Sequence, residues 1–251
     1  QHQWVLSYFP EAAQAAVYGR DAQPRIVTSF GAFGRAEPEP GGFKVSGDWS
    51  FGSGGDHCSW AIVGAPVAAP QPGMRWFLLQ PGQFSVRDTW NSVGLKGSGS
   101  NNIVVEGASV PEEFSLDLGA AYGGHAPGSK FLDGPLYQAP LSSQFQFGLL
   151  SPMMGVARGA LETFVEFSQG RVGGLTGSKV AESPLLQARI GETAAEIDAA
   201  YAVLDRISRG VMSGELATPA VAGRVGRDFG YCAKIMVQAV DRLFAVAGAR
   251  G

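Results

Sequence analysis

The chain has 251 residues, 45% hydrophobic and 16% charged, so it can bury a sizeable core in one large or two modest domains. A formal net charge of −3 without a dense Lys/Arg run argues against nucleic-acid or anionic-membrane binding. Cys58 and Cys232 lie far apart and outside CxxC spacing, which leaves no disulfide framework or cysteine zinc site. No apolar run reaches membrane-span length and no signal-peptide pattern opens the chain, so a reducing cytoplasm is expected.

Residues 1–19 read as the end of one helix, a break at Pro10 and a short second helix stopped by Gly19. Trp4, Val5, Leu6, Tyr8 and Phe9 form an apolar face with little preceding chain to cover it, which suggests a missing N-terminal helical region. From 25 to 134 the pattern changes to short strands cut by turns, expected at 25–33, 43–46, 49–51, 60–63, 75–79, 84–88 and 103–105. Most of the 36 glycines fall in this half. Residues 37–40 and 65–73 read as surface loops, and Ser46-Gly47-Asp48 as the turn of a hairpin. The strand pattern implies a β-barrel or sandwich-like domain. After Leu136 three long amphipathic helices follow. Their apolar stripes are Leu150, Met154, Ala157, Leu161 and Phe164; Leu186, Ile190, Ala194, Ile197, Tyr201 and Leu204; and Val225, Phe229, Cys232, Met236, Val240, Leu243 and Ala247. Ser183-Pro184 and Thr218-Pro219 are helix start signals. Three such helices make most of a four-helix bundle.

Two runs carry chemical information. In Trp49-Ser50-Phe51-Gly52-Ser53-Gly54-Gly55, two aromatics stand among glycines and serines, a composition that lets backbone approach a flat ligand while short hydroxyls bond it. A glycine-loosened strand end explains the same residues without a ligand. In residues 90–111, Gly94, Gly97 and Gly99 with Ser98 and Ser100 expose backbone N–H groups and hydroxyls suited to an anion or a carbonyl-bearing ring edge. This run is not a P-loop, because GxxxxGK[ST] is absent and a strand follows. Neither Gly52-Ser53-Gly54 nor Gly97-Ser98-Gly99 has the strand-to-helix setting of a nucleophile elbow. His57 and His125 lack metal-ligand spacing, so no metal is expected.

The run GGFKVSGDWSFGSGGDHCSW resembles the GGYxxxGxWxFxSGxDHxxW signature of the oxygenase components of two-component flavin-dependent aromatic monooxygenases, which have the acyl-CoA dehydrogenase fold. GLKGSGS, followed by a strand and Val110-Pro111, is similar to that family's GLRGTGS and VP, with Lys96 in place of Arg and so without the planar fork. His2 and Trp4 match the family's HxW element near the flavin, Thr28 and Ser29 its strand flanking the flavin, and Arg171 its R-x-x-G after the first bundle helix. The helix macrodipole also explains a basic residue at that C-terminus.

The resemblance spans the chain from His2 to Gly251 and implies an α+β fold: residues 1–21 ending a helical region, a central β-barrel-like domain at 22–135, and an incomplete antiparallel helical bundle at 136–251. An N-terminal helical domain and a last bundle helix, with the family's catalytic His, are expected beyond the two ends. Ser53, at the flavin N5 edge, and His2 are the implied catalytic residues. Ser29, Trp49, Phe51, Gly52, Ser53, Gly54 and Arg171 are the implied cofactor-binding residues, and Trp4 and Thr28 the substrate-binding ones. The implied activity takes reduced FMN or FAD from a separate flavin reductase, forms a flavin hydroperoxide with molecular oxygen, and hydroxylates a phenolic or other aromatic or polycyclic small molecule, in a cytoplasmic homotetramer. Two readings stand beside it. One is an acyl-CoA dehydrogenase-type flavin oxidoreductase, disfavoured because WSFGSGGDH departs from WITNG. The other is a non-catalytic flavin-binding or assembly fragment.

Overall fold

Alternating apolar and polar residues in the glycine-rich half form one eight-stranded mixed sheet in the computed structural model, which describes residues 2–68, 72–173, 177–215 and 219–247. The strands are β1 (Ile26–Ser29), β2 (Gly34–Glu39), β3 (Gly42–Gly52), β4 (Trp60–Val67), β5 (Gly73–Leu79), β6 (Ser85–Arg87), β7 (Asn101–Pro111) and β8 (Ser115–Asp117). Their order is β6-β7-β3-β2-β4-β5-β8, with β1 parallel to β4 beside this path. The expected barrel is therefore not found. The outermost strands β6 and β8 are three residues each and pair only inward, so the sheet stays open.

Three local expectations change. Ser46-Gly47-Asp48 is not a turn but the middle of β3, which runs on to Gly52 against β7. Gly47 is needed for close approach, since a Cβ there would lie 2.5 Å from the Gly34 Cα and against the Trp49 indole. The hairpin turn lies at Pro40-Gly41, where Gly41 has φ +82°. Residues 37–39 belong to β2, not to a loop; Pro38 is tolerated because β2 meets β4 only at Ala36–Val67, leaving its outer edge largely open. Likewise β4 continues to Val67 and β5 begins at Gly73, which shortens the expected loop at 65–73, and residues 69–71 lie outside the described residues.

The chain divides into two units, 1–141 and 142–251. In the first, Trp49, Trp60, Trp76, Ile62, Phe77, Leu78, Leu79 and Ile103 are fully buried, and the Trp49 indole N–H donates to the Gly64 carbonyl at 2.7 Å. Helices α1 (His2–Leu6) and α2 (Glu11–Tyr18) flank Pro10. Val5, Leu6, Tyr8 and Phe9 are buried inside this unit. Gly128 sits against that segment and donates its N–H to the Tyr8 carbonyl at 3.1 Å. Short helices α3 (Leu118–Tyr122), α4 (Pro135–Gln138) and α5 (Leu141–Gln144) lead out of the sheet.

The second unit consists chiefly of α6 (Phe147–Gln169), α7 (Pro184–Ser213) and α8 (Pro219–Ala247). Leu150, Met154 and Ala157 of α6 meet Ile197, Ala200 and Leu204 of α7 and Val225, Phe229, Cys232 and Met236 of α8 in one core, as helical periodicity requires. The α7 stripe is rotated from the expectation: Ala200 is buried, whereas Tyr201 is exposed beneath the Arg158 guanidinium. Ser183 has the extended backbone of a cap residue, but its hydroxyl makes no capping bond, and Thr218 lies outside the described residues. Arg242 of α8 clamps Glu196 of α7 through two bonds of 2.7 and 2.8 Å. Among the described residues no helix is long and apolar enough to cross a membrane.

Candidate functional site

The end of β3 and the start of β7 build one loop cluster. Their last paired residues are Gly52 and Asn101, and Gly52 must lack a side chain because a Cβ would lie 2.8 Å from the Asn101 carbonyl oxygen and the Ile103 side chain. Just before it, Phe51 takes φ +66°, and across the cluster Leu95 takes φ +56°. Among the described residues these are the two non-glycine residues with positive φ, each a strain of about 1–3 kcal/mol that the surroundings must hold in place. Both side chains are exposed, at 63% and 83%. Trp90 joins them: its ring meets Phe51 edge-on at 6.0 Å, and its indole N–H donates to the Leu95 carbonyl at 3.0 Å. Gly54, Gly94 and Gly97 have open space where a Cβ would stand.

Inside this rim runs a chain of hydroxyls. Ser53 Oγ lies 2.8 Å from Ser100 Oγ, which lies 2.7 Å from Ser98 Oγ. Ser100 is buried, Ser98 is half-buried and Ser53 is exposed. Gly54 N–H donates to the Ser98 carbonyl at 2.8 Å, closing the two loops on each other. Asn101 acts as keystone. Its Oδ1 accepts from the Thr89 and Trp90 N–H groups, each at 3.0 Å, and its Nδ2 donates to Asp56 Oδ2 at 3.1 Å. No base touches the hydroxyl chain, whose described side-chain partners are hydroxyls alone, so the arrangement does not activate a serine nucleophile. Nor does it offer a thiolate. Burial raises the Cys58 thiol above its ordinary pKa, against an opposing effect of Arg25, and its S–H donates to the Gly54 carbonyl at 3.3 Å.

The structure gathers some of the expected residues and diverts others. Phe51, Gly52, Ser53 and Gly54 share the cluster. Ser29 stands at the end of β1 with its hydroxyl donated to the Ser50 carbonyl at 2.6 Å, so it ties β1 to β3 beside the cluster. Thr28 precedes it and is buried. Trp49 has no free surface, since the ring is wholly buried and its N–H is spent on Gly64. Its side chain is therefore a core element and not a ligand contact. Trp4, on α1, is half-buried and packs edge-on against Tyr8 at 5.5 Å, and its indole N–H is buried without a hydrogen-bond partner among the described residues. The side chain of His2 lies outside the described residues. Arg171, in the second unit, donates to the Ala247 carbonyl at 2.7 Å and lies 4.5 Å over the Phe167 ring. It thus caps the C-terminus of α8, as the macrodipole favours. Sequence reasoning singled out Ser98 and Ser100 but did not join them to Ser53, and it missed Asn101 as a site residue. The one available signal was the serine-glycine alternation leading into β7.

The site is a glycine-lined ledge with a hydroxyl at its surface and aromatic side chains at its rim, the form of a pocket edge for a flat, heteroatom-bearing ring. Residues 147–251 match the family model described as acyl-CoA dehydrogenase, C-terminal domain. The chain is 33% identical over 256 residues to the flavin-dependent monooxygenase oxygenase subunit HsaA of Rhodococcus jostii, covering 99% of this chain and 67% of that protein. It is 36% identical to the oxygenase component of the FADH(2)-dependent resorcinol hydroxylase of a Rhizobium species, covering 82% of this chain and 52% of that one. The crystal structure of the 3-HSA hydroxylase from a Rhodococcus species superposes with a TM-score of 0.90 at 32% identity, covering 99% of this chain and 65% of that one. Fold and sequence together define an acyl-CoA dehydrogenase-like protein. More narrowly, the chain belongs to the family of flavin-dependent monooxygenase oxygenase subunits, and it spans between about half and two thirds of the length of these relatives.

Proposed function

We propose that the protein is the oxygenase component of a two-component monooxygenase, binding reduced FMN or FAD and inserting one atom of dioxygen into a phenolic or other aromatic small molecule. The observation that carries this reading is the exposed Ser53 hydroxyl, set between Gly52 and Gly54 and backed by the Ser100–Ser98 chain. The donor set fits a flavin. Gly54 and Gly97 leave room for a ring plane, a neutral hydroxyl suits a ring nitrogen, and Phe51 and Trp90 provide apolar cover at the rim. When bound, reduced flavin supplies the electrons and the reaction with oxygen; the protein positions it and keeps water away. In this assignment Ser53 would hold the N5 edge and the backbone of residues 52–54 the ring, with the Ser29 bond to Ser50 fixing the loop's approach. Thr28 and Trp4 stand on the substrate side, and the unpaired Trp4 N–H is the available donor there. His2 is assigned to the same side from its HxW motif alone.

A separate flavin reductase delivers the reduced flavin, and copies assemble as a cytoplasmic homotetramer. The likeness to HsaA and to the resorcinol hydroxylase component supports an aromatic substrate. The test is turnover of the full-length protein with a reductase, NADH, flavin and a panel of phenols under ¹⁸O₂. The expected product carries one labelled oxygen; label-free product, or no product from any phenol, would contradict the assignment.

A further inference from the structure

Ser53, Ser100 and Ser98 hold three hydroxyl protons between them and share two O···O contacts, of 2.8 Å and 2.7 Å, both ordinary for O–H···O bonds. Each contact uses one proton, so one proton is left over. If the chain runs Ser98 to Ser100 to Ser53, the spare proton is on Ser53, which then donates outward. If it runs the other way, Ser53 gives its proton to Ser100, offers a lone pair outward, and the spare proton is on half-buried Ser98. The remaining arrangement, with both outer hydroxyls donating inward, would strand the Ser100 proton at a residue only 5% exposed, with no described acceptor left. The chain therefore has two favoured polarities, and no heavy atom need move to pass between them.

We propose that Ser100 and Ser98 are positioning residues that let the Ser53 hydroxyl reverse between donor and acceptor. This inference rests on the flavin assignment above. N5 of a flavin is a bare acceptor when oxidised and an N–H donor when reduced, so a fixed donor at Ser53 would serve only one state. A reversible chain serves both.

The two polarities depend on Ser98 unequally. When Ser53 donates, Ser100 needs an acceptor only in Ser53, and loss of the Ser98 hydroxyl removes one donor to an oxygen that tolerates it. When Ser53 accepts, the Ser100 proton must go to Ser98, and without that hydroxyl it is buried unsatisfied. Ser98→Ala is thus expected to weaken the reduced flavin selectively.

The experiment is anaerobic titration of the full-length wild type, Ser98→Ala and Ser98→Thr with oxidised and reduced FMN and FAD, repeated for Ser98→Ala on a Ser53→Ala background. The expected result is a reduced-flavin dissociation constant raised about two- to tenfold in Ser98→Ala, the scale of one neutral hydrogen bond. The oxidised-flavin constant should stay unchanged, Ser98→Thr should restore the wild-type ratio, and Ser53→Ala should abolish the effect. Equal weakening of both redox states, or a shift that persists without the Ser53 hydroxyl, would show a merely structural role and overturn the proposal. Wild type that binds neither flavin would overturn the flavin assignment and this inference with it.

Discussion

Gly128→Ala should destabilise the first unit by about 3 kcal/mol or more, the upper range for forced overpacking. A Cβ at Gly128 would lie 1.7 Å from the Ser7 carbonyl oxygen and 2.8 Å from its carbon. Both are backbone atoms, so no rotamer change relieves the clash. The Ser7 segment cannot retreat cheaply, because its neighbours Leu6 and Phe9 are 0% exposed and Tyr8 accepts the Gly128 N–H. Gly73 is the control: nothing lies within 4 Å of its added Cβ and its φ is not positive, so Gly73→Ala should change stability by no more than about 0.5 kcal/mol. Urea unfolding followed by tryptophan fluorescence reads both. Equal midpoints for Gly128→Ala and wild type would refute the packing of residues 7–8 against 128.

Ser53→Ala should leave the fold intact and change the fate of oxygen. The residue is exposed and its side-chain bond is to Ser100, so truncation opens no cavity and leaves Ser100 with Ser98 as a partner. One neutral hydrogen bond is worth about 0.5–1.5 kcal/mol net, so flavin affinity should fall by no more than about two- to tenfold. The same energy lost from the oxygen-reacting state raises its breakdown rate about two- to tenfold, since 1.36 kcal/mol corresponds to a factor of ten. In steady state the variant should release more hydrogen peroxide and less hydroxylated product per oxygen consumed. Peroxide yield against product yield is the measurement, and unchanged coupling would remove Ser53 from the reacting centre.

What could be read from the sequence follows its periodicities. The α6 and α8 faces were legible because an apolar residue every three or four positions has one cheap solution, burial on a common stripe. On α7 the same rule misplaced Tyr201, an amphipathic residue whose ring lies under Arg158 on the surface. In the β half, glycine was the obstacle. Gly47 reads as a turn residue, but what it provides is room for the Gly34 backbone and the Trp49 indole. The barrel expectation failed because closure depends on the edge strands: β6, expected within 84–88, and β8, which was not expected, are three residues each and pair only inward.

The candidate site was half legible. Ser53 stands in a recognisable glycine-serine run, but the partner that orients it, Ser100, is 47 positions away, and the Asn101 bond to Asp56 spans 45. Spacings of that length carry no local signature. Trp49 and Arg171 illustrate the converse: residues placed at the site by motif are held by the Gly64 and Ala247 carbonyls.

The central claim is that the ledge formed by residues 51–54 and 95–100 holds reduced flavin. Ser53→Trp puts an indole where the ring would lie, at an exposed position that the fold does not depend on. Anaerobic titration of full-length wild type and Ser53→Trp with reduced FMN and reduced FAD is the direct test. Saturable binding of at least one of them, one per chain, to the wild type and its loss in a normally folded Ser53→Trp is the predicted result. Equal binding to both proteins, or no binding to the wild type, would contradict the account.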